Sequence, residues 1–143
     1  PRRASLNLAV KTLRGVETIL YVEDDEAVRK LIQRGLTEKG YTVLTAKDPV
    51  EAIAMSQEFK GVISLLLTDM VMPKMHGRAL AQRLLGLRPE MKVIYMSGYT
   101  DQSVVQNNFL EEGQAYIQKP VSLDSIFMKI RKILDNALNI DDE

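Results

Sequence analysis

An alternation that begins at Thr18 limits this chain's possible folds more than any other feature: short β-branched or aliphatic runs take turns with stretches of helical periodicity. The predicted strands are Thr18–Val22, Thr42–Thr45, Val62–Leu67, Met91–Met96 and Gln114–Gln118. The first, third and fourth are almost continuously apolar, as parallel strands buried on both faces must be. Between strands the period becomes helical. Val28, Leu31 and Ile32 fall on one face, as do Val50, Ile53 and Ala54, then Leu80, Leu84 and Leu87, and finally Ile126, Ile130, Ile133 and Leu134. Gln102–Leu110 gives a weaker helix, its apolar positions being Val104, Val105 and Leu110. Gly40, Gly61, Gly86 and Gly113 fall near helix-to-strand junctions, where the chain must reverse. Five β-α units without an internal repeat imply an α/β fold. It is a single doubly wound, five-stranded parallel sheet with about five helices covering both faces. Such sheets bind ligands at the carboxyl ends of their strands.

Composition narrows the function. At 143 residues, 45% hydrophobic and 27% charged, the chain has enough apolar material for one ordinary core. It has no cysteine, which excludes disulfides and thiolate metal sites and fits a cytoplasmic location. Nineteen basic residues balance nineteen acidic ones, and no basic patch marks a nucleic-acid interface in the main body. No nucleic-acid partner is expected for this chain. The longest apolar runs are far too short to span a bilayer, so no membrane segment is expected either. Pro1-Arg2-Arg3-Ala4-Ser5 is not followed by the apolar stretch of a secretory signal and is taken as linker. The expected organisation is an N-terminal tail or linker over 1–16, one domain over 17–138, and a C-terminal tail over 139–143. The residues outside the domain leave no room for a second, DNA-binding one.

The strand ends carry the chemistry. The first leads into Glu23-Asp24-Asp25, the third into Thr68-Asp69, the fourth into Ser97 and the fifth into Lys119-Pro120. The fold therefore gathers at least three carboxylates, a hydroxyl and an ammonium at one rim. Crowded carboxylates raise one another's pKa unless a cation intervenes. A hard divalent ion such as Mg²⁺ suits one to three carboxylates completed by water and a phosphate oxygen. An aspartate is also a competent nucleophile toward phosphorus, giving an acyl phosphate. Mg²⁺ and Lys119 would then stabilise charge on the transferring oxygens.

The residues Ile19-Leu20-Tyr21-Val22-Glu23-Asp24-Asp25, Leu66-Leu67-Thr68-Asp69-Met70-Val71-Met72-Pro73 with Gly77, Met96-Ser97-Gly98 and Lys119-Pro120 occur in that order. Together, over Thr18 to about Asn136, they resemble a response-regulator receiver domain, the CheY-like family of two-component signalling. The resemblance implies a flavodoxin-like sheet of order 2-1-3-4-5. It implies that Asp69 is the phosphoacceptor, receiving its phosphoryl group from a phosphohistidine on a histidine kinase or phosphotransfer domain. Glu23 and Asp24 would hold Mg²⁺ with Asp69 and the backbone carbonyl of Val71, and Asp25 would cap the first helix. Ser97 matches the switch hydroxyl and Tyr116 the aromatic switch. A cis Lys119–Pro120 bond is expected, aiming Lys119 into the site. Val71 and Tyr99 occupy positions that resemble gatekeepers of water access. Such a domain catalyses only its own phosphorylation and dephosphorylation, and can pair as a homodimer through its fourth helix, fifth strand and fifth helix. One departure stands out: the family's acidic pair is often two Asp, whereas Glu23 is longer, leaving direct or water-mediated metal contact open. The Ser97-Gly98-Tyr99-Thr100-Asp101 stretch resembles receivers fused behind sensor kinases.

A lone strand-end Asp is more often a cap than a nucleophile; the full constellation reverses that judgement for Asp69. Met70, Met72 and Met75 suit core packing better than a sulfur site. His76, the sole histidine, is expected exposed near the third helix start, so no phosphodonor histidine lies in this chain. A Mg²⁺-dependent phosphohydrolase with an Asp nucleophile would commonly place a second Asp two residues on, where this chain has Val71. A degenerate receiver serving as a constitutive binding module would lack an acid, the hydroxyl or the lysine, and none is missing.

Overall fold

The computed structural model describes residues 13–72, 74–98 and 113–135. Its strands are β1 (Thr18–Val22), β2 (Thr42–Ala46), β3 (Leu65–Asp69), β4 (Lys92–Ser97) and β5 (Gln114–Gln118). Its helices are α1 (Glu26–Glu38), α2 (Pro49–Glu58), α3 (Gly77–Leu87) and α4 (Leu123–Leu134). The helix expected at Gln102–Leu110 lies outside the described residues, so α4 is the fifth of the expected series. All strand pairs are parallel, and the sheet order is β2-β1-β3-β4-β5. The doubly wound, flavodoxin-like sheet expected from the sequence is what forms.

Two cores follow from the two-residue period of the central strands. Leu20, Val22, Leu66, Val93 and Tyr95 face one side, against Ala52 of α2 and Leu80, Ala81 and Leu84 of α3. Ile19, Tyr21, Leu65, Leu67, Ile94 and Met96 face the other, against Ile32 and Leu36 of α1 and Ile126, Phe127 and Ile130 of α4. Side-chain caps start the helices. Asp25 Oδ1 accepts from Val28 N, Asp48 Oδ1 accepts from Glu51 N, and Ser122 and Ser125 form a reciprocal capping box.

Several expectations need correction. β3 begins at Leu65 rather than Val62, because its neighbour β1 begins only at Thr18. Ser64 N donates to Thr18 O, and Val62, beyond that level, is exposed. β2 and β4 each run one residue further than expected, and β4 starts one residue later. On α1 only Ile32 of the expected stripe is buried. Gly35 and Leu36 complete the packed face, while Val28 and Leu31 are exposed. The cause is α4, whose Leu123 packs where a Cβ on Gly35 would stand, drawing that edge of α1 inward. On α2 the buried set is Pro49, Ala52 and Ser56, with Val50 exposed. Here Arg88 lies across the helix end, donating to Ser56 Oγ at 3.0 Å and to the carbonyls of Ser56, Phe59 and Gly61. Leu87 is exposed, and Gly86 sits inside α3 rather than at a junction.

The lead-in to β1 is held in place. Gly15 N donates to Lys39 O at 3.1 Å, beside Gly40, whose φ of +104° and lack of a Cβ admit the Gly15 carbonyl. Arg131 of α4 reaches across to Glu17 with both terminal nitrogens, at 2.8 and 3.1 Å, and also to Asp135 at 2.7 Å. Leu13, on the tail side of the expected boundary, packs against the second core.

Candidate functional site

The carboxyl ends of β1, β3, β4 and β5 meet at one rim because the ladder staggers them only slightly. Val22 lies opposite Thr68, Asp69 opposite Met96, and Ser97 opposite Gln118. Glu23, one residue beyond β1, is still tied to the sheet by its N–H, which donates to Ala46 O at 3.0 Å. Glu23, Asp24 and Asp69 each bring a carboxylate oxygen within 4.8 Å of the others. Glu23 and Asp69 are buried, at 4% and 2% exposure, whereas Asp24 faces solvent.

Lys119 completes the group. Its ammonium lies 2.6 Å from Asp69 Oδ1, and its backbone N–H donates to Ser97 O at 2.7 Å, fixing β5 against β4. The Lys119–Pro120 peptide is cis, as expected. The ammonium contact is a close ion pair to a buried carboxylate oxygen. Burial works against the charge on Lys119, but the Asp69 contact outweighs it and raises the amine's pKa.

Glu23 feels the crowding most. Burial, and then the negative charge of Asp69, push its carboxyl up to about 7. Two donors hold its side chain: Tyr21 Oη donates to Oε1 at 3.4 Å and Asp25 N to Oε2 at 3.2 Å. Arg29 Nη1 donates to the Glu23 backbone carbonyl at 2.8 Å. Burial, with the charges of Glu23 and Asp69 behind it, raises the Tyr21 phenol above its usual range, so the hydroxyl stays a donor.

The loop after β3 is shaped by a close approach. Gly77 N donates to Met70 O at 2.6 Å, and a Cβ on Gly77 would collide with the Asp69 carbonyl. Lys74 takes a positive φ of 76° in the same loop. Val71 is 60% exposed at the rim. Thr68 Oγ1 donates to Asp69 O at 3.0 Å. Ser97 is buried, its Oγ donating to Gly98 O at 3.4 Å. Tyr116 is half-buried on β5, packed against the first core. Tyr99 lies outside the described residues. His76 is exposed and caps α3, its Nδ1 accepting from Arg78 N.

The structure thus brings Glu23, Asp24, Asp69, Lys119 and Ser97 to one rim. The three carboxylates there offer oxygen ligands only, each with an atom within 4.8 Å of the others. That set fits a hard divalent ion such as Mg²⁺ and excludes soft thiolate chemistry. Sequence reasoning missed the contact of Tyr21 with Glu23 and the approach of Gly77 to Asp69. The first was available in principle, since residues two apart on a strand share a face. The second needs three-dimensional geometry.

Comparison with known proteins bears on what this rim belongs to. A family model described as "Response regulator receiver domain" matches residues 19–131. The chain is 34% identical over 123 residues to the sensor kinase CckA of Brucella abortus (strain 2308), covering 86% of this chain but 13% of that protein's length. It is 30% identical over 119 residues to the response regulator receiver protein CpdR of the same organism, covering 83% of this chain and 98% of CpdR. Among solved structures, a CheY-like response regulator receiver domain protein from Methanospirillum hungatei JF-1 superposes with a TM-score of 0.73. That match has 32% identity and covers 88% of this chain and 99% of the other. None of the described helices is long and apolar enough to cross a membrane.

Proposed function

Because this chain belongs to the response regulator receiver domain family of two-component signalling, we propose that Asp69 is its phosphoacceptor. The observation that carries this reading is the buried Asp69 carboxylate, with Glu23 and Asp24 within 4.8 Å and the Lys119 ammonium at 2.6 Å. An Asp69 oxygen attacks the phosphorus of a phosphohistidine on a histidine kinase or phosphotransfer domain. The P–O bond forms as the P–N bond breaks, and the imidazole leaves. Glu23, Asp24, Asp69 and the backbone carbonyl of Val71 would hold Mg²⁺. When bound, the ion supplies positive charge against the carboxylates and the incoming phosphoryl oxygens. Lys119 lies where it can exchange its partner, from the Asp69 carboxylate to a phosphoryl oxygen.

The consequence is a change of state rather than a turnover product. Ser97, buried with its Oγ donating to Gly98 O at 3.4 Å, turns its hydroxyl toward the phosphoryl group, and Tyr116 turns inward to fill the space left. The shift in population is limited by the differential contacts the phosphoryl group makes in each state. The surface that changes includes β5 and α4, and it would also serve a homodimer. The similarity to the sensor kinase CckA supports a receiver carried within a hybrid kinase; the similarity to CpdR supports a free-standing one.

A phosphohydrolase is the competing class. Two residues after Asp69 it would need an acid or base, and Val71 supplies neither. The two readings separate on turnover of a small phosphodonor with Mg²⁺. The switch takes up one phosphate and loses it slowly, whereas a hydrolase releases many phosphates per site. Amide exchange across residues 98–125, with and without a phosphate mimic, tests the switch; unchanged protection contradicts it.

A further inference from the structure

We propose that Tyr21 is a positioning residue for Glu23, its hydroxyl fixing the carboxylate in the orientation from which Glu23 meets the cation. The inference deepens the Mg²⁺-dependent reading above and rests on it. A glutamate in this site carries one more rotatable bond than an aspartate, and that freedom must be lost for the carboxylate to serve as a ligand. Contacts at both oxygens restrict it. Oε2 accepts from the Asp25 backbone N–H at 3.2 Å, and Oε1 accepts from Tyr21 Oη at 3.4 Å. Arg29, through the Glu23 carbonyl, fixes the backbone from which the side chain starts. Each carboxylate oxygen keeps a further lone pair for the ion or one of its waters.

Tyr21 is well suited to hold such a contact. It is fully buried in the second core, where packing restricts its ring. The strand period places it on the same face as Glu23, and the register sets it beside Leu67 of β3, two residues before Asp69. Volume alone does not require tyrosine here, because phenylalanine fills the same space. What tyrosine adds is a donor at the depth of the Glu23 carboxylate. Donors to a ligating carboxylate typically govern metal affinity by 10- to 100-fold.

The test is a double-mutant cycle of Tyr21→Phe and Glu23→Gln, read as Mg²⁺ affinity by calorimetry on the whole chain, with urea midpoints confirming that each variant is folded. Tyr21→Phe is expected to weaken Mg²⁺ binding about tenfold while leaving the rate of phosphorylation at saturating Mg²⁺ unchanged. In the Glu23→Gln background it is expected to add nothing. Wild-type affinity in Tyr21→Phe, or an equal loss in the Glu23→Gln background, overturns the proposal. A wild-type chain that binds no Mg²⁺ overturns both this proposal and the reading beneath it. Phosphorylation at a residue other than Asp69 overturns only that reading, and the cycle still decides the role of Tyr21.

Discussion

The Lys119 ammonium sits 2.6 Å from Asp69 Oδ1, on a side chain that is 43% exposed against a carboxylate that is 4% exposed. The pair is therefore asymmetric: solvent can accompany the lysine when it changes partner, but not the aspartate. Lys119→Ala is expected to leave Mg²⁺ affinity undiminished, since a competing positive charge is removed. The response to phosphorylation should weaken by about 1.5 kcal/mol, the low end for a hydrogen bond to a charged group because water screens it. Calorimetry with Mg²⁺, paired with amide exchange of the phosphorylated variant, checks both halves. Weaker Mg²⁺ binding would show that Lys119 does not face the phosphoryl position.

Glu23 makes stability depend on pH in a metal-sensitive way. Its carboxyl is pushed up to about 7, first by burial and then by Asp69, from an ordinary value of 4.5. A raised folded-state pKa gives stability that is complete below the unfolded value and is lost as pH rises through the folded one. Without metal, the urea midpoint should fall between about pH 5 and pH 8; Glu23→Gln should flatten that slope, and so should saturating Mg²⁺. A metal-free profile with no Glu23-dependent slope would contradict the crowding of Glu23 and Asp69.

Gly77 is required by distance rather than by backbone conformation. Any Cβ there collides with the Asp69 carbonyl, and backbone cannot yield as a flexible side chain can. Gly77→Ala is expected to cost about 1–3 kcal/mol, as overpacking does, and to displace the Asp69 loop. Phosphorylation should slow more than the loss of folded protein explains, measured at a temperature where the variant is still folded. A variant of wild-type stability and rate would mean that the approach relaxes freely.

Phospho-Asp69 is expected to hydrolyse slowly for a receiver. Hydrolysis needs a water in line with the phosphorus, and Val71, exposed at the rim, cannot hydrogen-bond it. One orienting hydrogen bond of about 1.4 kcal/mol corresponds to about tenfold in rate. Val71→Asn should shorten the phosphoryl lifetime several-fold, as should Tyr99→Glu, which replaces a bulky ring with a group that can hydrogen-bond water. Lifetimes equal to wild type in both variants, at saturating Mg²⁺, would remove these side chains from the control of water.

The parallel sheet and the residues at its rim are legible in the sequence for a common reason, whereas the strand order comes only through the family resemblance. Central parallel strands must be apolar on both faces, so Thr18–Val22 and Met91–Met96 stand out, and the polar residues that follow them mark the rim. Helix faces were less legible because periodicity shows which residues could share a stripe, not which stripe the neighbours cover. Val28, Leu31 and Val50 were assigned inward, yet Leu123 and Arg88 decide the packing from distant positions. The start of β3 was misjudged because a strand's extent depends on where its partner begins. At the site, residue types gave Asp69, Glu23, Asp24 and Lys119, but the second layer beneath them, Tyr21 and Gly77, is defined by contacts.

Phosphorylation of the Asp69 carboxylate is measured most directly by intact mass. Incubated with acetyl phosphate and Mg²⁺, the wild-type chain should gain the mass of a single phosphate, peptide mapping should locate it on Asp69, and a chelator should prevent it. Asp69→Asn, which keeps the shape but removes the nucleophilic carboxylate, should gain none. Equal labelling of Asp69→Asn, or labelling that persists without a divalent ion, would contradict the assignment of Asp69 as the phosphoacceptor.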